Sequence, residues 1–187
     1  MLIAGENVSA ELLAEVSALP HPARRIGVFR RGDLPRYEER PVALALWHVA
    51  DPGNLGTLLR SADAFGAAVA LSPACADPTG PKALRASAGA AFRVPIGGFD
   101  DPRGRRIALA AHEGKPLPEL ELDKGTVFVL GAERIGLPPE VIARCEETAT
   151  IPTPGPAESL NVAAAGAIAL YDWSGRRAAQ TESSPPR

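Results

Sequence analysis

The sequence predicts an α/β fold in which a mainly parallel sheet is flanked by helices. Short apolar runs, of the kind that fill strands buried on both faces, alternate along the chain with segments of helical periodicity. The connections between them are short and contain many of the 18 glycines and 19 prolines. Strands that alternate with helices over short connections run parallel, because each helix returns the chain to the same end of the sheet.

The elements of this fold begin at residue 41. The run PVALALWHV (41–49) predicts a buried strand that ends in the turn sequence DPGN. LGTLLRSADAF (55–65) has its apolar residues on one helical stripe, and Gly66 is the expected stop. The other predicted elements are strands at 67–72, 105–111, 125–131 and 149–152, and helices at 82–88, 138–145 and 159–173.

Length and composition predict one well-cored domain of residues 39–175, since the chain has 187 residues of which 45% are hydrophobic. Residues 1–38 are too few for a core of their own and are interpreted as an appendage. The polar, proline-ended segment 176–187 is predicted to be disordered.

Charge and cysteine content exclude several classes of protein. The net charge of −2 gives no global sign of nucleic-acid binding. Cys75 and Cys145 lie far apart without a CxxC motif, so neither a disulfide framework nor a zinc site is indicated. The sequence contains no signal-peptide pattern and no membrane-spanning apolar stretch, so we expect a soluble, cytoplasmic protein with no membrane partner.

Polar residues are concentrated in three loops that each follow a predicted strand and precede a helix. The loops are DPGNLG, GAERIG and IPTPGPAESLN, and they should meet at the carboxyl edge of the sheet, where ligands bind in such folds. Asn161 is neither apolar nor a good helix former inside its predicted helix, which favours a functional role. Asn54 is as well explained as a helix N-cap. The candidate site residues in these segments are Asn54, Arg60, Glu133, Ser159 and Asn161.

The three loops and their flanks resemble the motifs of the SpoU family of RNA ribose 2′-O-methyltransferases, within the SPOUT superfamily. The motifs are DPGNLGTLLRSADAFG, FVLGAERIGLP and IPTPGPAESLNVAAAGAIALYDW, and the resemblance covers residues 41 to 173. Thr153 and Ala163 stand where family members often have Met and Ser. Residues 8–35 resemble the last part of an RNA-binding domain related to ribosomal protein L30.

The resemblance implies a C-terminal trefoil knot that binds S-adenosylmethionine, a homodimer, and no metal. The implied reaction is methylation of a ribose 2′-hydroxyl in structured RNA, with S-adenosylhomocysteine as product, and with ribosomal RNA favoured over transfer RNA. The main chain at the cofactor is expected to come from Leu130, Gly131, Ile151 and Leu160. Gly131 in particular would let the ligand approach the backbone closely.

Each polar position receives a role from the same resemblance. Arg60 is expected to stabilise the developing alkoxide and to hold an RNA phosphate, since a guanidinium rarely gives up its proton. Asn54 would orient Arg60 or the ribose, and Glu133 would fix Arg60 or its own loop. Ser159 and Asn161, at the start of the last helix, would present side chains and free N–H groups to the cofactor or to RNA phosphate.

Other polar residues are less informative. Arg24, Arg25, Arg30 and Arg31 are candidates for RNA phosphate contacts, although a solvated face explains them equally well. His48 is expected to be a core or strand-end histidine, and neither it nor His112 is assigned a catalytic role.

Two alternative functions remain from the sequence. One is a non-catalytic RNA-binding or assembly factor on the same scaffold, which would have no need of all five polar positions. The other is a doubly wound enzyme that binds another nucleotide, and the absence of both GxGxxG and GxxxxGK[ST] counts against it.

Overall fold

Two units make up the chain, Met1–Leu34 and Pro35–Arg187. The computed structural model describes residues 1–17, 24–156 and 158–182. The division falls at Leu34, whereas the predicted appendage extended to residue 38. None of the helices in the described ranges combines the length and the apolar character that a bilayer crossing requires.

The first unit is small. Strand β1 (Leu2–Ile3) pairs antiparallel with β2 (Arg25–Ile26), and helix α1 (Ala10–Val16) lies between them in the chain. Ser9 caps α1, because its side chain accepts a hydrogen bond from the N–H of Leu12. A single turn of 3₁₀ helix follows at Arg31–Asp33. The four candidate RNA-binding arginines are all exposed: Arg24, Arg25, Arg30 and Arg31.

The second unit is built on a seven-stranded sheet with the order β5-β4-β3-β8-β6-β9-β7, and every neighbouring pair is parallel. This confirms the predicted fold class, because helices connect strands that enter the sheet in one direction. The strands are β3 (Val42–Leu46), β4 (Ala68–Leu71), β5 (Ile96–Gly98), β6 (Arg105–Leu109), β7 (Lys115–Pro116), β8 (Thr126–Leu130) and β9 (Glu147–Thr150). The helices are α2 (Pro52–Phe65), α3 (Pro81–Ser87), α4 (Pro139–Ile142) and α5 (Val162–Glu182).

The central strand β3 shows why these runs are apolar. All five of its residues are buried, and they alternate between the two faces of the sheet. Val42, Leu44 and Leu46 join the larger core cluster, which includes the buried leucines of α2 and Leu170 of α5. The alanines at 43 and 45 join a smaller cluster on the other face, together with Phe99 and Val141.

Helix α2 begins earlier than predicted. Asp51 is its N-cap, since the carboxylate accepts hydrogen bonds from the N–H groups of Gly53 (2.7 Å) and Asn54 (3.0 Å), and Pro52 occupies the first turn. The interpretation of Asn54 as the N-cap is therefore wrong. The helix ends as predicted at Gly66, whose φ of 65° gives the left-handed C-cap.

The C-terminal helix α5 is longer than predicted and begins later. It runs to Glu182, so the prediction of disorder from residue 176 is wrong for residues 176–182, and residues 183–187 lie outside the described part. Tertiary anchors extend it: the Trp173 indole N–H donates to the carbonyl of Asp123 (2.9 Å), and the Arg176 guanidinium donates to the carbonyls of Leu117 and Leu120. These contacts outweigh the polar local sequence.

The remaining differences are local. The predicted helix at 138–145 contains only α4, because the N–H groups of Arg144 and Cys145 donate to carbonyls three residues earlier and continue the chain in turns. The edge strands β5 and β7 were not predicted, since runs of three and two residues are too short to show a pattern.

Helices α2 and α3 pack closely at Gly56. A Cβ atom there would lie 2.5 Å from the Cβ of Ala86 and 2.6 Å from the carbonyl oxygen of Ala83, and the backbone of α3 cannot move aside cheaply. We therefore expect Gly56→Ala to lower the free energy of unfolding by about 1–3 kcal/mol through overpacking. Urea denaturation followed by circular dichroism measures it.

The matched control is Thr57→Ala, one residue further along the same helix. Thr57 is exposed and its hydroxyl only donates to the carbonyl of Gly53, so the change should stay within about 0.5 kcal/mol. Equal effects of the two substitutions would contradict the close α2–α3 contact.

Candidate active site

The three motif loops leave the sheet at one edge. The strands β3, β8 and β9 all run parallel to their neighbours, so the segments after Leu46, Leu130 and Thr150 start from their carboxyl ends. The first segment enters α2 and the third enters α5, and the second contains Glu133. This is the edge at which the sequence predicted a site.

Glu133 joins the loop after β8 to the loop after β3. Its Oε1 accepts hydrogen bonds from the Asp51 N–H (3.1 Å) and from the Asn54 side-chain amide (3.1 Å). Its Oε2 accepts from the N–H of Ala50 at 3.4 Å. Glu133 therefore fixes the entry to α2, and no hydrogen bond joins it to Arg60 within the described residues.

Asn161 extends this connection to the third loop. Its side-chain Nδ2 donates to Oδ1 of Asn54 (3.0 Å), and its own Oδ1 accepts from the N–H groups of Ala163 (2.9 Å) and Ala164 (3.3 Å). We call the resulting series of side chains the Glu133–Asn54–Asn161 chain. It couples three loops whose residues are separated by up to 107 positions in the sequence.

The position of Asn161 corrects the sequence interpretation. The sequence predicts Asn161 one turn inside a helix that begins at 159, but the residue is the N-cap of α5, which begins at Val162. Two of the helix N–H groups that were expected to face a ligand are bound by the Asn161 carbonyl oxygen instead.

Ser159 lies outside the helix and outside the hydrogen-bonded chain. Its side chain is exposed, and its hydroxyl has no hydrogen-bond partner in the part of the chain that the structure describes. It is not the first residue of α5, as the sequence predicts, because Asn161 caps that helix and Val162 begins it.

Arg60 is not part of the Glu133–Asn54–Asn161 chain either. It lies six residues after Asn54 on α2, which places its side chain about 120° around the helix axis and about 9 Å further along it. The residue is exposed, and among the residues described no hydrogen bond or ion pair engages its guanidinium. Its positive charge is therefore not neutralised by a neighbouring carboxylate.

Glycine is required at position 131 for a different reason from the predicted close approach of a ligand. A Cβ atom at this position would overlap the backbone of Gly136 and the N–H of Leu137. The loop folds back on itself because Ala132 and Gly136 exchange two backbone hydrogen bonds, of 3.2 and 2.9 Å, and Gly136 has a φ of 73°. Close approach within the GAERIG loop itself therefore requires glycine here.

The other residues expected at the cofactor differ in burial. Leu130 is buried at the end of β8, and its carbonyl accepts a hydrogen bond from the Trp47 N–H (2.8 Å). Ile151 and Leu160, which bound the third loop, are half-buried. Ile151 and Leu160 therefore leave part of their apolar surface exposed at the carboxyl edge of the sheet, where the Glu133–Asn54–Asn161 chain also lies.

Sequence reasoning missed Asp51 and Lys82. Lys82 at the start of α3 donates to the Asp51 carboxylate at 2.9 Å, and that carboxylate caps α2. The hydrogen bond from Lys82, followed by that from the Asn54 N–H, lowers the pKa of Asp51 below its ordinary value of 3.8. An Asp directly before a Pro at a helix start is the signal that could have identified this cap.

The electrostatics of Glu133 follow from its hydrogen bonds. Partial burial alone would raise its pKa, but the donors outweigh it: the Asn54 amide and backbone N–H groups, including those of Asp51 and Ala50, lower the pKa below 4.5. The carboxylate is therefore ionised at neutral pH. No cluster of three or more His, Cys, Asp or Glu side chains arranged for a metal ion occurs among the described residues.

The lowered pKa of Glu133 predicts a pH-dependent contribution to stability. The ionised carboxylate is favoured in the folded state, so its contribution is complete above the ordinary pKa of 4.5 and is lost as the pH falls through the lower folded-state pKa. We expect wild type to be more stable than Glu133→Gln at neutral pH, by a margin that shrinks below pH 4.5. Urea midpoints of both proteins between about pH 7 and about pH 3 measure it, and a pH-independent margin would contradict it.

Comparison with known proteins adds a family and a set of solved structures. The profile of the SpoU rRNA Methylase family matches residues 41–171. A putative RNA methyltransferase of the TrmH family from Porphyromonas gingivalis is 32% identical with a TM-score of 0.81, over 91% of this chain and 74% of that one. An AdoMet-bound rRNA methyltransferase from Sinorhizobium meliloti is 32% identical with a TM-score of 0.67, over 77% and 58%.

Among curated proteins, RlmP of Bacillus subtilis, named 23S rRNA (guanosine(2553)-2′-O)-methyltransferase, is 34% identical over 137 residues, which is 68% of this chain and 55% of RlmP. The chain spans about half the length of the curated relatives it matches. The solved neighbours have the SPOUT knot fold, which confirms the predicted fold class. The order of the three motifs, the parallel sheet and these similarities agree, and the chain belongs to the SpoU rRNA methylase family.

Proposed function

We propose that this protein methylates a ribose 2′-hydroxyl in structured RNA, with S-adenosylmethionine as the methyl donor and ribosomal RNA as the substrate. The observation that carries the proposal is the Glu133–Asn54–Asn161 chain, which holds three loops in one arrangement. Arg60, on the helix that leaves the first of these loops, has no ion-pair partner among the described residues. A module that only binds RNA has no need of such a coupled set. The similarity to RlmP supports the choice of ribosomal RNA.

Bound S-adenosylmethionine would supply a methyl group already activated by its sulfonium charge, and the products would be the 2′-O-methylated ribose, S-adenosylhomocysteine and a proton released to water. The protein's own contribution is to hold the reacting atoms in line, which is worth about 7–11 kcal/mol when the geometry is good. Rigid loops serve this purpose, and the Glu133–Asn54–Asn161 chain makes the three loops rigid relative to one another.

Arg60 is proposed to stabilise the oxygen as it becomes negative. A guanidinium is a fixed donor fork and keeps its proton, so it acts through charge and hydrogen bonding. Asn54 has a second amide hydrogen beyond the one given to Glu133, and this donor can orient the ribose. Asn161 likewise keeps one amide hydrogen beyond the one given to Asn54.

The residues at the edge fit the proposed cofactor. The half-buried side chains of Ile151 and Leu160 provide apolar surface for the faces of an adenine ring, and the carboxylate and amides of the chain lie on the adjoining loops. In this proposal the main chain at Leu130 and Gly131 forms one wall, and Ser159, with its exposed hydroxyl, contacts the cofactor or the RNA.

A homodimer is part of the proposal. Helix α5 has an exposed apolar stripe at helical spacing, formed by Ala164, Ile168 and Tyr171, of which Tyr171 is 70% exposed. Such a stripe on the helix that begins at the site fits a second copy of the chain. A protein that acts on ribosomal RNA would work in the cytoplasm.

The identity of the RNA can be tested directly. Nucleosides from ribosomal and transfer RNA of a strain lacking the gene are compared with wild type by mass spectrometry. Loss of one 2′-O-methyl mark, restored by the wild-type gene, is the expected result and distinguishes the two RNA classes. Unchanged 2′-O-methylation in both would refute the proposed function.

The role of Arg60 predicts a loss of rate without a loss of cofactor. Arg60→Ala should lower the methylation rate by about 10²–10³-fold, as removal of one transition-state donor does elsewhere. Arg60→Lys should restore little, because a point charge does not replace the fork. Methyl incorporation and calorimetric titration with S-adenosylmethionine are the two measurements.

Arg103→Ala is the matched control. Arg103 is exposed just before β6, at the opposite edge of the sheet, and its substitution should leave the methylation rate unchanged. An Arg60→Ala protein with wild-type rate would disprove the assignment, whereas lost cofactor binding would indicate a role in the cofactor pocket.

The exposed arginines of the first unit predict a change in salt dependence. If Arg30 and Arg31 contact RNA phosphates, replacing both with Ala should reduce the slope of log K against log salt by about 1–2. Fluorescence anisotropy with ribosomal RNA fragments at several salt concentrations measures the slope. An unchanged slope would remove these two residues from the RNA-binding surface.

A further inference from the structure

An aromatic pair, a half-buried tryptophan and an exposed histidine, lies at the carboxyl end of β3. His48 is the second residue after the strand, has the left-handed φ of 55°, and is exposed. Its imidazole stacks on the indole of Trp47, with ring centroids 4.5 Å apart and planes 11° from parallel. We call these two residues the Trp47–His48 stack. The indole covers one face of the imidazole, and the histidine nevertheless remains open to solvent.

The stack is held rigidly from below. The His48 N–H donates to the hydroxyl of Ser72 (2.9 Å), which is buried at the end of β4, and the Trp47 N–H donates to the carbonyl of Leu130 (2.8 Å). The Trp47 ring meets Phe99 edge-to-face, with centroids 5.1 Å apart. The backbone of both residues and the Trp47 indole are therefore held in place before any ligand arrives, which lowers the entropy lost on binding.

The turn itself does not require an aromatic ring. Glycine adopts a positive φ without steric cost, and asparagine does so readily, so the backbone at position 48 is satisfied by residues without a ring. The backbone of His48 has a positive φ, which few residues with a side chain adopt. Such departures are concentrated at functional sites.

The stack lies next to the candidate active site. Two and three residues after His48, the N–H groups of Ala50 and Asp51 bind the Glu133 carboxylate. Three residues span at most about 10–11 Å, so the backbone of His48 lies within that distance of Asp51. The Trp47 indole packs against the smaller core cluster on one face of the sheet.

Aromatic rings beside a ribose-modifying site suit one kind of ligand. Unpaired RNA bases stack on aromatic side chains, and the contact tolerates any base because each has a π face. We propose that the Trp47–His48 stack binds an unpaired base of the substrate RNA beside the ribose that is methylated. This inference rests on the proposed function, and it adds a base contact that none of the phosphate or cofactor residues supplies.

The test compares a base-bearing with a base-free probe. A short single-stranded oligoadenylate and an abasic ribose-phosphate chain of equal length are titrated against the protein in a Trp173→Phe background. The chain has two tryptophans, so Trp47 is then the sole tryptophan reporter. Oligoadenylate should quench Trp47 fluorescence, and the abasic chain should not.

His48→Asn and His48→Tyr are the matched pair. Asparagine accepts the positive φ but removes the ring, and should weaken oligoadenylate binding about tenfold while leaving abasic binding unchanged. Tyrosine keeps a ring and should bind oligoadenylate within about threefold of wild type. No detectable oligoadenylate binding, an unquenched Trp47, or an equal loss for both probes would overturn the proposal. Thermal midpoints of the two variants show whether a loss comes from misfolding, and His48→Gly replaces His48→Asn if it does.

Methylation assays separate this inference from the proposed function. With RNA from the deletion strain, His48→Asn should raise KM for RNA about tenfold and leave kcat within about twofold. A wild-type enzyme that methylates RNA, together with an unchanged KM in His48→Asn, would overturn the stacking role alone. A wild type that methylates no RNA, but whose Trp47 is quenched by oligoadenylate, would instead refute the proposed function.

Discussion

The hydrogen bonds of the Glu133 carboxylate are the constraint on which the arrangement of this site depends. One ionised group binds the N–H groups of two consecutive residues and a side-chain amide, and so orders the start of α2 from a loop that follows a different strand. Charge-assisted hydrogen bonds of this kind are roughly twice as strong as neutral ones. Asn54 and Asn161 carry the constraint onward to α5, so that three connections behave as one unit.

The sheet explains why such a unit can form. Strands β3 and β8 are neighbours in the middle of the sheet, and their registers bring Leu46 opposite Leu130, so the loops that follow them leave the sheet side by side. The side chains at the ends of these two strands, Leu46 and Leu130, are apolar, so the polar side chains of the edge come from the loops that the strands bring together. Specific chemistry is thus confined to the loops, while burial of the strands supplies the stability that keeps them aligned.

Most of the fold could be predicted from the sequence because the central strands are continuous apolar runs and the connections are short. The convergence of Asn54, Glu133 and Asn161 followed from the common edge of parallel strands. The identity of the cap on α5 could not be predicted, because it depends on the path of the third loop, and both Ser159 and Asn161 are good caps by residue type. The need for glycine at position 131 could not be predicted either, because it depends on the fold of the GAERIG loop, which brings the backbone of Gly136 against Gly131.

The position at which α5 ends could not be predicted from the local sequence, because it depends on tertiary contacts. The same contacts have a mechanical consequence. The polar sequence at the end of α5 is helical because Trp173 and Arg176 bind carbonyls of the segment before β8. Along the helix Arg176 lies about 22 Å from the cap at Asn161. A force that pulls on the chain beyond Glu182, such as an unfolding protease exerts, therefore acts on these anchors first, and the three motif loops are strained only after the anchors have broken.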